Sequence, residues 1–155
     1  MDEAYIRALV ARLDTANPSD EAAAWSELKA LGEGAVPYLA EHFPRARRWQ
    51  QRVSLVFHSI RFARVSEAAL QLGLAALDDR ATLVRYRACG LLAYAQRREA
   101  VPALEKLLAH ADGRTVEDAR AAIDALNRKN HHYFVDRTHS GRAFWVVNPE
   151  DQPAG

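Results

Sequence analysis

Ala35-Val36-Pro37-Tyr38-Leu39 and Ala100-Val101-Pro102-Ala103-Leu104 are two copies of one short pattern. In each, a run ending in paired apolar residues (Ala30-Leu31, Leu91-Leu92) is followed by a few turn residues and then by Ala-Val-Pro-x-Leu. Proline is well placed in the first turn of a helix, where its missing N–H has no partner to lose. The pattern therefore predicts a helix, a sharp turn and a second helix. Placing Ile60 and Leu126 at the same point of the unit as Leu31 and Leu92 extends it through the chain at intervals of about thirty residues. A repeat of that length means stacked helical hairpins, because one hairpin cannot bury its apolar face alone and its neighbours must complete the core.

Outward from these copies, Ile6, Leu9, Val10 and Leu13 recur at helical spacing and predict a lead helix within residues 1–18, stopped by Pro18. Ser19-Asp20-Glu21 opens the next helix with a capping residue and first-turn acids that oppose the helix dipole. Gly32 and Gly34 supply the reversal before Pro37. The second unit presents Trp49, Val53, Val56, Phe57 and Ile60 as its apolar face, which makes Trp49 a core residue, and its partner helix holds Ala68, Leu70, Leu74 and Leu77. A third unit spans about 81–111, and a fourth begins near Arg114, so that repeats fill 19–130 of a single domain. Beyond them, residues 131–148 read as a β-hairpin, two aromatic and β-branched runs around Ser140-Gly141, followed by a tail at 149–155. The predicted fold is all-α, an α-solenoid with a lead helix and a C-terminal β-hairpin cap.

Asp79, Val84-Arg85, Ala88 and Leu92, followed by Ala100-Val101-Pro102-Ala103-Leu104 and Leu107-Leu108, resemble the repeat of HEAT-like proteins of the phycobilin-lyase type. The resemblance covers about residues 20–128. It implies first helices on the convex side, second helices on the concave side, and a protein-binding use. It also implies that Asp79 and Arg85, six residues apart, bridge successive repeats. It does not imply lyase chemistry, since a fold alone assigns no function.

Phosphate-binding and nucleophile motifs are missing from the sequence. Iron-binding hydroxylases with HEAT-like repeats carry repeated His-Glu pairs, whereas this chain has the single reversed pair Glu41-His42. His131, His132, Asp136 and His139 are zinc-type ligands, but adjacent histidines on a strand point to opposite faces, so no metal is expected there. No cofactor is expected. Cys89 lies among apolar residues and predicts inert packing. No run of about 20 apolar residues could span a bilayer, and the N-terminal residues lack a basic secretory leader, which together predict a cytoplasmic protein.

Charge is unevenly spread. Residues 1–43 hold 3 basic and 8 acidic side chains (net −5), residues 44–98 hold 11 and 3 (net +8), and residues 99–155 hold 7 and 9 (net −2). Of the 21 basic residues, 18 are arginine, the better bidentate partner for carboxylate or phosphate. Helical spacing puts Arg48 and Arg52 on one strip with His58 and Arg61 beside it, and Arg45, Arg47 and Arg64 extend the patch at the helix ends. In the hairpin, pairing Arg137 with Arg142 puts Phe134, Trp145 and Val147 on one face and Tyr133, Val135, Phe144 and Val146 on the other. One face would cap the last repeat; the other would meet a partner or a second copy in a homodimer.

These residues predict a non-enzymatic scaffold, adaptor or inhibitor that holds an acidic protein through the arginine patch, with Phe134 and Trp145 as a second contact. Nucleic-acid backbone binding by the same arginines is the rival reading. A lyase- or hydroxylase-type enzyme is a third.

Overall fold

The computed structural model describes residues 1–153, and over that range the chain is helical and contains no strand. The helices are α1 (Glu3–Ala11), α2 (Pro18–Leu28), α3 (Val36–His42), α4 (Trp49–Ile60), α5 (Glu67–Ala76), α6 (Thr82–Ala95), α7 (Val101–Lys106) and α8 (Gly113–Asn127). Short side chains cap them as local chemistry requires. Asn17 accepts from the Ser19 amide, Ser66 from Ala69 and Asp112 from Arg114, each satisfying a donor that the helix itself leaves free. Pro18, expected to end the lead helix, instead opens α2 in its first turn. Pro37 and Pro102 occupy first turns of α3 and α7, as the repeated pattern predicts. Between α2 and α3 the chain reverses at Gly32, whose φ of 56° favours glycine.

The hairpins stack in chain order. First helices α4, α6 and α8 lie side by side, α5 packs on α6, α3 packs on α5, and α1 closes the end against α2 and α3. Their apolar faces form one core running from Ile6 and Leu9 through Leu55, Leu70, Leu91 and Leu92 to Leu126. At Gly73 the α5 backbone comes so near α6 that an added Cβ would lie 2.7 Å from Leu91 Cδ2.

Two buried arginines run through the stack at equivalent places, 33 residues apart. Arg52 Nε donates to Asp79 Oδ2 at 2.7 Å and its Nη2 to Oδ1 at 3.3 Å, while Nη1 reaches the Ala46 and Arg47 carbonyls. Arg85 repeats the arrangement one unit later: Nη2 donates to Asp112 Oδ2 at 3.0 Å and Nη1 to the Asp79 carbonyl at 2.8 Å. Asp79 and Arg85 do act between repeats, but not with each other's charged groups. Each arginine holds the aspartate of the following unit.

The predicted β-hairpin does not form. Residues 131–134 make a tight 3₁₀ turn capped by Asn130, and residues 142–147 run on with no partner strand. The donors a ladder would need are taken by side chains. Asp136 accepts from the Ser140 amide and hydroxyl and from the Gly141 amide, and Asp151 Oδ2 accepts from the Val147 and Asn148 amides. The Trp145 amide donates to His132 Nδ1, and its carbonyl accepts from His131 Nε2. An isolated two-stranded ribbon is marginal in water, whereas this segment docks through Asp151 on Tyr94 of α6, Arg137 on Asp118 of α8 and Asn148 on the Arg61 carbonyl at the end of α4. Phe134, in the 3₁₀ turn, and Trp145 meet without strand pairing, and both press on Gly90 of α6, where a Cβ would lie 3.2 Å from each ring.

Three substitutions test this packing by urea unfolding. Asp79→Ala leaves the Arg52 guanidinium buried without its carboxylate and should cost about 3–5 kcal/mol in urea unfolding. Arg48→Ala, which removes an exposed pair with Asp14, should cost under about 1 kcal/mol. Phe134→Ala should lose about 3–5 kcal/mol, as for a fully buried ring.

Candidate partner-binding groove

Helix α4 buries Val56 and Ile60 of its predicted apolar face but turns its aromatic residues outward. Arg52, Leu55, Val56, Ser59 and Ile60 are buried, whereas Trp49 is 43% exposed and Phe57 48% exposed. Trp49 is therefore not a core residue. Arg52 takes the inner position because Asp79 and two carbonyls accept four hydrogen bonds from it, so a charged side chain displaces an aromatic one from the interior.

The predicted arginine patch is dispersed by the same rotation. Arg45 and Arg47 are exposed in the turn before α4, and Arg48 caps that helix 3.6 Å from Asp14. Arg61 lies at the opposite end, a helix length of about 18 Å away. Arg52 is 4% exposed and has no free donor face. Arg64 is consumed by α6 and the C-terminal segment: Nε donates to the Tyr94 carbonyl at 2.8 Å, Nη2 to His131 Nδ1 at 2.9 Å, and its Cζ lies 4.0 Å from the Tyr94 ring centroid. Because Arg64 can only donate, His131 Nδ1 must accept and Nε2 must carry the proton given to the Trp145 carbonyl. Burial pushes the His131 pKa down, in keeping with that neutral form.

Of the predicted contacts, His58, Arg61 and Trp145 do come together. With Trp25 of α2, Phe57 and Ile60 of α4, Arg87 of α6 and Val146-Val147 they line a cavity of about 330 Å³. His58 stacks on Trp25 with centroids 3.9 Å apart, and Arg87 lies 4.8 Å over the exposed Phe57 ring. A second hollow, lined by Glu21, Gln50, Val53 and Ser54, shares Phe57, His58 and Arg87 with the first, so one groove runs along α4 between α2 and α6. Its far wall is the C-terminal segment, pinned by Tyr94 Oη donating to Asp151 and by Asn148 Nδ2 donating to the Arg61 carbonyl.

Phe134 is buried against Tyr86 and Trp145, so it offers nothing to a partner. With the hairpin gone, the dimer surface drawn on it is gone too; of its outer aromatics Phe144 remains exposed, while Tyr133 stacks on His139. Trp25, Phe57 and Arg87 belong to the groove and were not expected there. Nothing in the sequence marks Trp25. The place of Arg52 was legible: it stands 33 residues before Arg85, which the repeat pattern already made structural.

The other chemistry-bearing groups are engaged locally. Asp136 holds its turn, His139 bonds Asp124, and burial pushes the Cys89 thiol up to about 12. Among the described residues no three His, Cys, Asp or Glu side chains are grouped to hold a metal ion, and no helix is long and apolar enough to cross a membrane. Asp118 is buried with one oxygen on Arg137 at 3.0 Å and the other without a partner, and burial raises its pKa. No family model matches the chain. No curated protein matches it either.

His58 makes the groove sensitive to acid. Burial lowers its pKa from 6.5 to about 4, against the pull of Glu21 at 3.8 Å. Between those values the unfolded chain binds a proton that the folded one refuses, so stability falls as pH drops through that window. The loss attributable to this ring should approach about 3 kcal/mol. His58→Gln should flatten that part of the stability–pH curve in chemical unfolding from pH 7 to pH 4.

Proposed function

We propose that this protein is a non-enzymatic scaffold of HEAT-like helical hairpins, working in the cytoplasm, that binds an acidic protein partner through the basic middle of the chain. The supporting observation is the pairing of Arg61 and Arg87 at an aromatic groove. Neither has a carboxylate within 4.0 Å among the described residues, while most other arginines of the chain do. An exposed Arg61 and a half-buried Arg87 beside aromatic surface have the composition of binding hot spots, and a positive field steers an acidic partner to them. Buried arginines such as Arg52 contribute to folding instead.

The nucleic-acid reading has one observation in its favour. Trp49 and Phe57 are exposed on the same helix as Arg61, and a base could stack on either ring. The acidic ends of the chain weigh against a long polyanion.

Affinity purification from the producing cell with the natural protein and with Arg61→Glu/Arg87→Glu separates these. The expected result is one acidic protein retained by the natural chain, lost with the double variant, and rebinding when purified, by calorimetry, more weakly as salt rises. Retention of that protein by the double variant would remove the groove's arginines from the role. A single-stranded oligonucleotide shifted at 50 mM salt and released at 300 mM would favour the nucleic-acid reading.

A further inference from the structure

The groove is specific enough in shape and charge to say what part of a partner enters it. From Gln50 to Arg61 it follows α4 for about 16 Å at the helical rise. An extended peptide of about five residues covers that length. The cavity at the Arg61 end, about 330 Å³, is at the small end of the range for ligand sites and suits one bulky side chain. Its walls, Trp25, Phe57 and Trp145, are apolar rings.

Charge along the groove is polarised. Arg61 stands at the end walled by the C-terminal segment, and Arg87 lies where the two hollows meet, lining both. Glu21 lies toward the other end, its carboxylate accepting from Ser54 Oγ at 2.7 Å. A carboxylate bound over Glu21 would be repelled, and one bound beside the two guanidinium groups would be attracted. Arg87 is already stacked on Phe57, so part of the ordering cost of holding it is met before binding.

We infer that this groove takes a short extended peptide segment carrying a bulky apolar residue followed by a carboxylate pair, with the apolar side chain in the cavity between Trp25 and Trp145 and the carboxylates on Arg61 and Arg87. This rests on the scaffold reading above and deepens it by naming the recognised chemistry. The same wall makes the C-terminal segment part of the site, since Trp145, Val146 and Val147 exist there only while Asp151, Tyr94 and Arg64 hold the segment down.

The test uses fluorescein-labelled Gly-Gly-Leu-Phe-Asp-Glu with an amidated C-terminus, its Asn-Gln and Lys-Lys counterparts at the last two positions, and the full chain. Fluorescence polarisation at 50 mM salt should show the acidic peptide bound at least tenfold more tightly than the Asn-Gln peptide. The Arg61→Glu/Arg87→Glu variant should lose the acidic peptide and gain the Lys-Lys one, with an unchanged circular dichroism melt. Trp25→Leu should weaken the acidic peptide tenfold while leaving salt dependence intact. Equal binding of acidic and neutral peptides, no binding of either, or no exchange of preference in the charge-swapped variant would overturn the proposal. If the swapped variant keeps the acidic peptide but Arg45→Glu/Arg47→Glu loses it, the scaffold reading stands and the groove is the wrong place. If both variants and the natural chain ignore acidic peptides and the purified acidic protein alike, both readings fall.

Discussion

A guanidinium buried between two helical units holds this stack in register. Taking such a charge out of water is costly, and it is tolerated only where most of its donors find acceptors. Arg52 and Arg85 meet that condition by reaching forward to the aspartate that opens the next unit and back to the carbonyls of the turn before their own helix. Asp112 is stabilised in turn by Thr82, Thr115 and the Arg114 amide, which lower its pKa to about 2. Apolar packing would permit neighbouring hairpins to slide; an arginine that must meet a carboxylate does not. At the next equivalent place, 33 residues on, the chain has Asp118, and the polarity reverses. The arginine now comes from the C-terminal segment, as Arg137.

That reversal explains the C-terminal segment. No further unit follows α8 among the described residues, so the segment returns over α8 and α6, burying Phe134 and resting Trp145 on Gly90. Its backbone is satisfied by His131, His132, Asp136 and Asp151 rather than by a partner strand. In doing so it builds one wall of the groove along α4. The stack and the candidate site therefore share a dependency: the groove forms only where the segment is docked, and the segment docks only on properly stacked first helices.

Where α4 points depends on the same economy of charge. Judged by hydrophobicity, Trp49 and Phe57 belong inside and Arg52 outside. The energetics favour the reverse because Arg52 completes a network of acceptors that no apolar residue could satisfy, and leaving Asp79 unpaired would cost more than exposing two aromatic rings. The exposed rings then become the apolar side of a surface whose guanidinium groups have no carboxylate of their own.

The number and order of the helices were legible in the chain itself, because Ala-Val-Pro-x-Leu at 35–39 and 100–104, the glycine turn at 32 and the spacing of Leu31, Ile60, Leu92 and Leu126 are local signals set by proline chemistry, backbone freedom and helical period. What only tertiary structure decided was which polar groups pair across units: Arg52 with Asp79, Arg64 with His131, Asp151 with Tyr94. Those pairings rotate α4, disperse the arginine patch, replace the hairpin by a docked segment and bring Trp25, Phe57 and Arg87 together. Hydrogen-bond satisfaction over 27 to 67 residues of separation is a property of the packed chain, and no local periodicity encodes it.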